Sequence, residues 1–280
     1  MADANSKFAD VPVRVRSWGY IVLVLAVAFV PPTISPLFAA WITFQGMREF
    51  ARMFIPEWKT QPLVFLCMAL LQALLLYFCS YREYILLASF LCLGTVLFFK
   101  YGLKVKKGAV FGLFLGAVAC LLAFSHLAFI RSIKVDGNPF LGLKLIGYIV
   151  VLTELNDVFQ YLMGKFFGKR KIVPRISPNK TIAGCVGGIS LTIILSNLLG
   201  YFLLPFQNFL YFSLFGLIFG ILGFWGDVLF SYLKRKTGVK DTGTLIPGHG
   251  GLLDRIDSLI FNAPLFYALI ILFVRELNRI

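Results

Sequence analysis

Long apolar stretches alternate with short polar loops along almost the whole chain. A helix that crosses a membrane needs roughly 20 mostly apolar residues. The pattern predicts about nine membrane-spanning helices, over residues 18–30, 33–47, 62–79, 84–99, 109–130, 141–163, 182–204, 209–230 and 252–274. The first two stretches are short and are separated by Pro31 and Pro32, so they form either one kinked span or a re-entrant pair.

The composition supports the same fold class. Hydrophobic residues make up 59% and charged residues only 14% of the 280 positions, which is far more apolar than a soluble domain. We therefore expect an all-α polytopic integral membrane protein. It divides into a polar N-terminal tail (1–17), a transmembrane scaffold (18–130) and a C-terminal transmembrane region (141–280), whose cytosolic loops 164–181 and 231–252 carry the candidate chemistry. No cleavable signal precedes the first span, so we expect the N-terminus to be retained.

The formal net charge of +14 indicates topology rather than a nucleic-acid partner. The basic residues do not form a patch with interleaved aromatic side chains, but collect in alternate loops. With a cytosolic N-terminus and nine spans, 21 of the 27 Lys and Arg residues lie on the cytosolic side, in agreement with the positive-inside rule. The five cysteines are scattered through apolar segments without a CxxC pair, so we predict neither a disulfide nor a zinc site.

The chemistry is densest between Ser231 and Asp257, in the sequence SYLKRKTGVKDTGTLIPGHGGLLDRID. Asp254 and Asp257 lie three residues apart, so in a helix they share a face and offer hard oxygen ligands to a divalent cation. The glycines around His249 allow backbone N–H groups to approach an anion, and the start of a helix adds its positive dipole end. The stretch therefore predicts a site for a metal-bound phosphate.

Two acidic residues, Glu154 and Asp157, lie three positions apart inside an otherwise apolar predicted helix. A charge at the membrane centre costs about 2.5–3.5 kcal/mol on the insertion scale, and packing alone does not explain two of them. They form either an ion pair, with Lys165 or a neighbouring helix, or a wall that faces a cation or a nucleotide. Both lie on the cytosolic half of the predicted span, on the same side as the dense stretch.

The end of the eighth predicted span carries polar residues at helical spacing. Asp227 is followed by Ser231 four residues later and by Lys234 and Arg235 seven and eight residues later, which places the four on roughly one helical face. That face leads a phosphate from basic residues in the cytosol to a buried carboxylate.

The first half of the chain is interpreted as scaffold. Glu49 is expected to be a solvated neighbour of Arg48 and Arg52, with contact to the site as the alternative. His126, near the outer end of the fifth predicted span, is expected to be a hydrogen-bonded structural residue rather than a ligand.

The dense stretch resembles the signature of the phosphatidate cytidylyltransferases, also called CDP-diacylglycerol synthases. The matching positions are Ser231, Lys234, Arg235, Lys240, Asp241, Pro247, His249, Gly250, Gly251, Asp254, Arg255 and Asp257. A second stretch, in and after the basic loop 164–180, also resembles the family. It matches at Ser177, Pro178, Lys180, Thr181, Gly184, Gly187 and Gly188, whereas Asn179, Ile182 and Ala183 replace the family's lysine, tryptophan and glutamate.

The resemblance implies transfer of the cytidylyl group of CTP to phosphatidate in the membrane, which yields CDP-diacylglycerol and pyrophosphate. It implies catalytic roles for Asp227, Lys240, Asp241 and His249, and an Mg²⁺ site at Asp227, Asp254 and Asp257. The implied substrate-binding residues are Ser231, Lys234, Arg235, Gly250, Gly251, Arg255, Ser177, Lys180, Glu154 and Asp157. Ala183 is the main departure: either Glu154 or Asp157 compensates for the missing carboxylate, or the protein is a divergent or weakly active paralogue.

Further expectations concern the setting and the alternatives. The compact size fits a bacterial inner membrane, the site is expected to face the cytosol, and a homodimer is left open. One alternative is CMP transfer to, or phosphorylation of, a different lipid. Another is a transporter or non-catalytic relative, since buried acids also mark ion-coupled transporters. The position of the acids at the cytosolic end, and the lack of a repeat between the two halves, count against transport.

Overall fold

The protein is built from helices in the computed structural model, which describes residue 29 and residues 31–55, 62–102, 105–134, 138–245 and 250–277. In chain order the helices are α1 (Ser35–Phe54), α2 (Pro62–Phe78), α3 (Tyr81–Leu97), α4 (Lys107–Ala117), α5 (His126–Ser132), α6 (Leu141–Phe167), α7 (Ile182–Leu203), α8 (Phe209–Lys236), α9 (Leu253–Ile256) and α10 (Leu259–Leu277). No strand forms within these ranges, where β-type pairing is limited to isolated bridges such as that between Lys171 and Thr181.

Four helical segments are both long and apolar enough to cross a membrane. They are Tyr81–Gly102, Lys107–Ser132, Ile182–Leu203 and Phe209–Lys236, and two further apolar helices, Pro62–Phe78 and Leu259–Phe273, are shorter. The predicted class, an all-α polytopic membrane protein, is confirmed. The predicted number of nine spans is not confirmed, and the stretch 18–30 lies outside the described residues apart from Phe29.

The predicted span 109–130 is not one regular helix. A π-helical segment, Val118–Ala123, follows α4 and precedes α5. Such segments disturb the regular bonding of the helix, and side chains from neighbouring helices bond to this one. Thr43 Oγ1 and Gln72 Nε2 both donate to the carbonyl oxygen of Cys120, at 3.2 and 3.3 Å. These bonds join α1 and α2 to the irregular segment. The carbonyl oxygen of Cys120 therefore has hydrogen-bond partners inside the protein.

His126 begins α5 and is a structural residue, as predicted. Its Nδ1 lies 2.6 Å from the carbonyl oxygen of Leu122, and its Nε2 lies 3.1 Å from the hydroxyl of Tyr81. The ring also packs against Tyr267 of α10, with ring centroids 5.5 Å apart. Both ring nitrogens are therefore used to join α3, α5 and the π-helical segment.

A stripe of small residues along α7 lets it approach α6 and α8 closely. Its buried positions recur every four residues: Gly184, Gly188, Thr192, Ser196 and Gly200. A Cβ atom on Gly184 would lie 2.6 Å from the carbonyl oxygen of Gln160 in α6, closer than such contacts allow. Small residues at this spacing are a common basis of helix packing in membranes. The close packing holds the loop between α6 and α7 against the C-terminal end of α6.

Buried amide side chains join the helices that surround the site. Asn156 of α6 accepts a hydrogen bond from Thr192 of α7 at 3.1 Å. Asn262 of α10 donates to Thr153 of α6 at 3.0 Å. Because a buried polar group without a partner is costly, these bonds favour one relative arrangement of α6, α7 and α10.

α8 continues beyond the predicted end of its span at residue 230 and ends at Lys236. Three basic residues, Lys234, Arg235 and Lys236, occupy its last turn, where they interact favourably with the negative end of the helix dipole. The first turns of the predicted cytosolic loop 231–252 are therefore helical. This extension holds Asp227 and Ser231 on one rigid element.

Candidate active site

Lys180 connects the two stretches that the sequence singles out. It lies in the loop between α6 and α7, and its Nζ is 2.7 Å from Asp227 Oδ2 of α8 and 4.0 Å from Asp157 Oδ1 of α6. Nζ also donates to Gln160 Oε1 at 3.1 Å and lies 5.0 Å from the centre of the Phe224 ring. Polar groups from α6, α8 and the loop therefore meet around one ammonium group.

A cavity of about 190 Å³ opens beside this ammonium group. Its lining comes from α6, the α6–α7 loop, the start of α7, and α8, and includes Asp157, Gln160, Ser177, Lys180 and Asp227. Ser177, which the sequence predicts to bind substrate, therefore lies at the same cavity as Lys180. Ala183 does not line this cavity, although the neighbouring Gly184 does.

The charge on Lys180 is stabilised by its neighbours. Burial alone lowers the pKa of a lysine, but the carboxylates of Asp227, Asp157 and Asp257 outweigh burial and raise the pKa of Lys180 above its ordinary value. Lys180 is therefore positively charged at neutral pH. It offsets part of the negative charge of the surrounding aspartates.

Asp257 lies in the turn between α9 and α10, before the apolar part of α10, and it is buried. One of its oxygens accepts a hydrogen bond from the backbone N–H of Ser258 at 2.8 Å. Burial, followed by repulsion from Asp227 and Asp157, raises the pKa of Asp257 well above its ordinary value. The site thus contains a carboxylate whose ionised form requires an additional positive neighbour.

Two hydroxyl groups join the aspartates to the surrounding helices. Ser231 Oγ donates to Asp227 Oδ1 at 3.3 Å within α8, which agrees with the predicted shared face. Ser258 Oγ donates to Asp157 Oδ2 at 2.9 Å, between the α9–α10 turn and α6. The other oxygen of Asp157 is buried without a hydrogen-bond partner among the described residues, and it lies 4.0 Å from Lys180 Nζ.

Asp254 bonds to the glycine loop and to Lys234. Its Oδ1 pairs with Lys234 at 2.6 Å. Its Oδ2 accepts hydrogen bonds from the backbone N–H groups of Thr242 and Gly251, both at 2.8 Å. Both oxygens are therefore engaged by protein groups. The metal-ligand role expected for Asp254 from its spacing to Asp257 stays a prediction.

The loop amides that the sequence suggests for a phosphate are likewise occupied. The N–H of Gly251 donates to Asp254, and those of Leu252 and Leu253 donate to Glu49 at 2.8 and 3.0 Å. These groups lie at the start of α9, where backbone donors lack helical partners. Protein carboxylates, not a free anion, satisfy them here.

Glu49 was expected mainly to be solvated, and this expectation is wrong. The side chain is fully buried and accepts four hydrogen bonds, three of them from Thr242, Leu252 and Leu253. A signal was present in the sequence, since an acidic residue occurs near the end of a long apolar stretch. Its partners lie about 200 positions away, so no local pattern identifies them.

The remaining predicted residues fall into four groups. Arg255 is partly buried and interacts electrostatically with Glu154 and Asp157 of α6. Arg235, Lys240 and Asp241 are exposed, and Arg235 Nη1 donates to the Val239 carbonyl oxygen at 3.3 Å. Gly250 adopts a left-handed backbone, with φ of 85°, which favours glycine. His249 and Pro247 lie outside the described residues.

The charges of the described site do not balance. Five carboxylates and three cations influence one another: Glu154, Asp157, Asp227, Asp254 and Asp257, with Lys180, Lys234 and Arg255. Carboxylates therefore exceed cations by two in this group. The donors suit Mg²⁺, which prefers oxygen ligands. Among the described residues, however, no set of three acidic, histidine or cysteine side chains is placed to hold a metal ion by itself.

Comparison with known proteins agrees with the motifs. A family model described as the cytidylyltransferase family matches residues 13–273. The chain is 38% identical over 268 residues to the uncharacterized protein YnbB of Escherichia coli strain K12, and this alignment covers 93% of this chain and 87% of that protein.

Two similar proteins carry the name phosphatidate cytidylyltransferase. The chain is 37% identical over 183 residues to the one from Bacillus subtilis strain 168, which covers 64% of this chain and 66% of that enzyme. It is 37% identical over 158 residues to the one from Staphylococcus haemolyticus strain JCSC1435, which covers 56% of this chain and 60% of that enzyme. The match thus spans less than two thirds of the length of either named enzyme, whereas the match to YnbB is nearly complete.

Proposed function

The chain belongs to the cytidylyltransferase family, and we propose on that premise that it transfers the cytidylyl group of CTP to phosphatidate, giving CDP-diacylglycerol and pyrophosphate. One observation carries the proposal: Asp227 links the two family motifs. Lys180 of the first motif lies 2.7 Å from Asp227 Oδ2, and Ser231 of the second motif donates to Asp227 Oδ1 at 3.3 Å. We therefore assign the cavity beside Lys180 to the phosphates of the substrates.

In the proposed reaction, a phosphate oxygen of phosphatidate forms a bond to the α-phosphorus of CTP. The bond from that phosphorus to the oxygen that bridges to the β-phosphate breaks, and pyrophosphate leaves with the electron pair. No general base is required, because a phosphate monoester with a second pKa of about 6 already carries an anionic oxygen at neutral pH. The residues must therefore mainly orient two anions and stabilise the charge on the leaving group.

Lys180, Lys234 and Arg255 are the cations that we assign to the phosphates. Each is only partly exposed, and Lys180 and Lys234 are paired with aspartates at 2.7 and 2.6 Å. They would bond to substrate phosphates by exchanging these partners. The exposed Arg235 and Lys240 would attract the anionic substrates from the cytosol.

We further propose that Asp227 and Asp257 hold Mg²⁺ together with the substrate phosphates. Magnesium sites commonly use one or two carboxylates, with phosphates and water as the remaining ligands, so a complete protein cage is not required. The excess of carboxylates and the buried, unpartnered oxygen of Asp157 support the assignment. When bound, Mg²⁺ would offset repulsion between the two substrates and stabilise the leaving pyrophosphate.

A second, apolar cavity supports a lipid as the acceptor. It has a volume of about 340 Å³ and is lined by apolar side chains that include Phe50, Leu122, Phe230, Leu233 and Phe261. Leu233 directly precedes Lys234 on α8, and Phe261 follows Asp257 by four residues. An acyl chain in this cavity would therefore place its phosphate near the charged site.

We also propose that the site faces the cytosol of a bacterial inner membrane. The distribution of basic residues and the bacterial origin of the similar proteins support this orientation and location. CTP is a soluble nucleotide, so it would reach a site at the cytosolic ends of α6 and α8 without crossing the membrane.

The test is incorporation of label from CTP into chloroform-extractable lipid by the purified protein, with phosphatidate and Mg²⁺. Label in the α-phosphate is expected to enter the lipid, with release of pyrophosphate. Label in the γ-phosphate entering the lipid instead would identify a kinase. The Asp257→Asn variant should be inactive, and the exposed Glu83→Gln variant should retain activity. Failure of the wild-type protein to label any lipid would overturn the proposal.

A different lipid phosphate as acceptor is a second candidate. It is favoured by the nearly complete match to YnbB and the partial match to the named phosphatidate enzymes. A panel of phosphorylated lipids in the same assay distinguishes the acceptors, because the preferred lipid gives the highest rate of transfer.

A further inference from the structure

We infer that Glu49 of α1 is a positioning residue, which holds the glycine loop and the start of α9 in the arrangement that turnover requires. The inference rests on the proposed function for its link to turnover. It assigns a role at the site to a region that the sequence pattern presents mainly as scaffold.

The carboxylate of Glu49 is surrounded by donors. Oε1 accepts from Gln45 Nε2 at 3.1 Å and from the N–H of Leu252 at 2.8 Å. Oε2 accepts from the N–H of Leu253 at 3.0 Å and lies 2.8 Å from the hydroxyl of Thr242. Only an ionised carboxylate offers acceptors on both sides without presenting a hydrogen. The residue is 0% exposed, so water does not replace these bonds if they are lost.

Thr242 extends the influence of Glu49 to the charged site. Its hydroxyl lies 3.0 Å from Asp254 Oδ2 as well as 2.8 Å from Glu49. A hydroxyl has one hydrogen, so it can donate fully to only one of the two carboxylates at a time. Asp254 in turn pairs with Lys234 at 2.6 Å. A continuous series of polar contacts therefore runs from α1 to α8.

Gly251 makes this arrangement possible. A Cβ atom at this position would overlap both Glu49 Oε2 and Thr242 Oγ1. The glycine therefore serves the approach of a protein carboxylate, in addition to any approach of a substrate. This gives a physical reason for the second glycine of the His-Gly-Gly sequence that involves no ligand.

The hydrogen bonds of Glu49 lie where they can position the aspartates of the site as well as stabilise the fold. They fix the two amides directly before Asp254, and Asp257 follows only three residues later. A shift of this short segment would change the position of Asp257 relative to Asp227. Such a change lowers the rate of a positioned reaction more than it weakens binding of substrates.

The test compares Glu49→Gln with the wild-type protein in hydrogen exchange and in lipid labelling. The amide side chain can accept on one side but places N–H donors on the other. Exchange of the peptide that covers residues 250–256 should therefore become about tenfold faster or more, as expected from the loss of hydrogen bonds to a charged group. Exchange in α7 should be unchanged. kcat should fall by about tenfold or more, with KM for the lipid changed less than threefold.

Two further variants provide controls. Glu83→Gln removes an exposed carboxylate that accepts from the Ser80 N–H at 2.7 Å, far along the chain from the loop, and should leave both readouts unchanged. Thr242→Val removes only the bridging hydroxyl and should loosen the same peptide to a smaller extent. This variant keeps the inference testable if Glu49→Gln does not fold.

The inference is overturned if exchange of residues 250–256 is the same in Glu49→Gln and wild-type protein. It is also overturned if the peptide loosens while kcat remains normal, or if Thr242→Val exchanges like the wild type when Glu49→Gln fails to fold. Absence of lipid labelling by the wild type would instead refute the proposed function, because the exchange measurement does not depend on the reaction.

Discussion

Replacing Lys180 by methionine tests the charge balance of the candidate site. The substitution keeps a long flexible side chain but removes the ammonium group that lies 2.7 Å from Asp227 and 4.0 Å from Asp157. Removing one partner of a fully buried pair costs about 3–5 kcal/mol, whereas exposed pairs contribute about 0–1 kcal/mol. The side chains are 13% exposed for Lys180, 26% for Asp227 and 36% for Asp157. An intermediate loss of about 1–3 kcal/mol is therefore expected after discounting for solvent screening.

The assay is thermal unfolding of the detergent-solubilised protein in the presence of a chelator. A loss of 1 kcal/mol lowers Tm by roughly 2–4 °C in proteins of comparable size, so Tm of Lys180→Met should fall by about 2–12 °C. The exposed Lys169 lies in the same loop, and Lys169→Met is the matched control, with an expected change near zero. Equal melting of Lys180→Met and wild type, or equal destabilisation by the control, would refute the reasoning.

Removing a negative charge from the same site should raise the stability of the protein. Asp257 is a buried carboxylate whose pKa is raised by burial and by Asp227 and Asp157. Asp257 binds a proton more readily in the folded protein than in the unfolded protein. Its ionisation therefore lowers the free energy of unfolding as the pH rises from about 3.9 through the raised pKa of the folded state. Asp257→Asn should therefore stabilise the chelated protein at neutral pH while abolishing turnover. Destabilisation by both Asp257→Asn and Lys180→Met would contradict an excess of negative charge.

The pH dependence of the lysine effect provides an internal check. The pKa of Lys180 is raised by its carboxylate neighbours, so its stabilising contribution is complete below the ordinary lysine value of about 10.4 and is lost only above it. The difference in Tm between Lys180→Met and wild type should therefore persist as the pH rises from about 6 to 9. A difference that disappears within this range would show that another group is responsible.

Three further predictions concern the loop, the missing glutamate and the cation. Gly251→Ala should reduce turnover by about tenfold or more, because its Cβ would overlap Glu49 and Thr242; lipid labelling measures this. Ala183→Glu should change lipid labelling less than about twofold. Position 183 does not line the cavity beside Lys180, so the new carboxylate should form no bond in the transition state. A large gain in labelling would instead place the carboxylate at the site. CTP binding, measured by equilibrium dialysis, should weaken when Mg²⁺ is removed, and this dependence should be reduced in Asp257→Asn.

Local spacing predicts the parts of the site that lie within one helix. The interval of four residues from Asp227 to Ser231 is enough to predict their contact, and the structure has the hydrogen bond at 3.3 Å. The same reasoning puts Asp254 and Asp257 on one face. It does not predict that Lys234 and the loop amides engage Asp254.

Contacts between distant segments are the part that spacing does not predict. The bonds from Leu252 and Leu253 to Glu49 span more than 200 residues, and both amides are backbone groups that every residue except proline carries. The irregular segment within the predicted span 109–130 is similarly invisible, since its apolar sequence is compatible with a regular helix. In both cases the deciding interactions come from other helices.

The described charges suggest why such a site contains more carboxylates than cations. Both proposed substrates are anions, so a site of free cations would bind them strongly whether or not they were arranged for reaction. Lys180 and Lys234 are instead held by Asp227 and Asp254 at 2.7 and 2.6 Å, and a phosphate must compete with these partners. Under the proposed function, the lysines would become available when another cation satisfied the carboxylates. Binding energy would then be released only when nucleotide, lipid and cation were present together, which would favour the reacting arrangement over separate binding of either substrate.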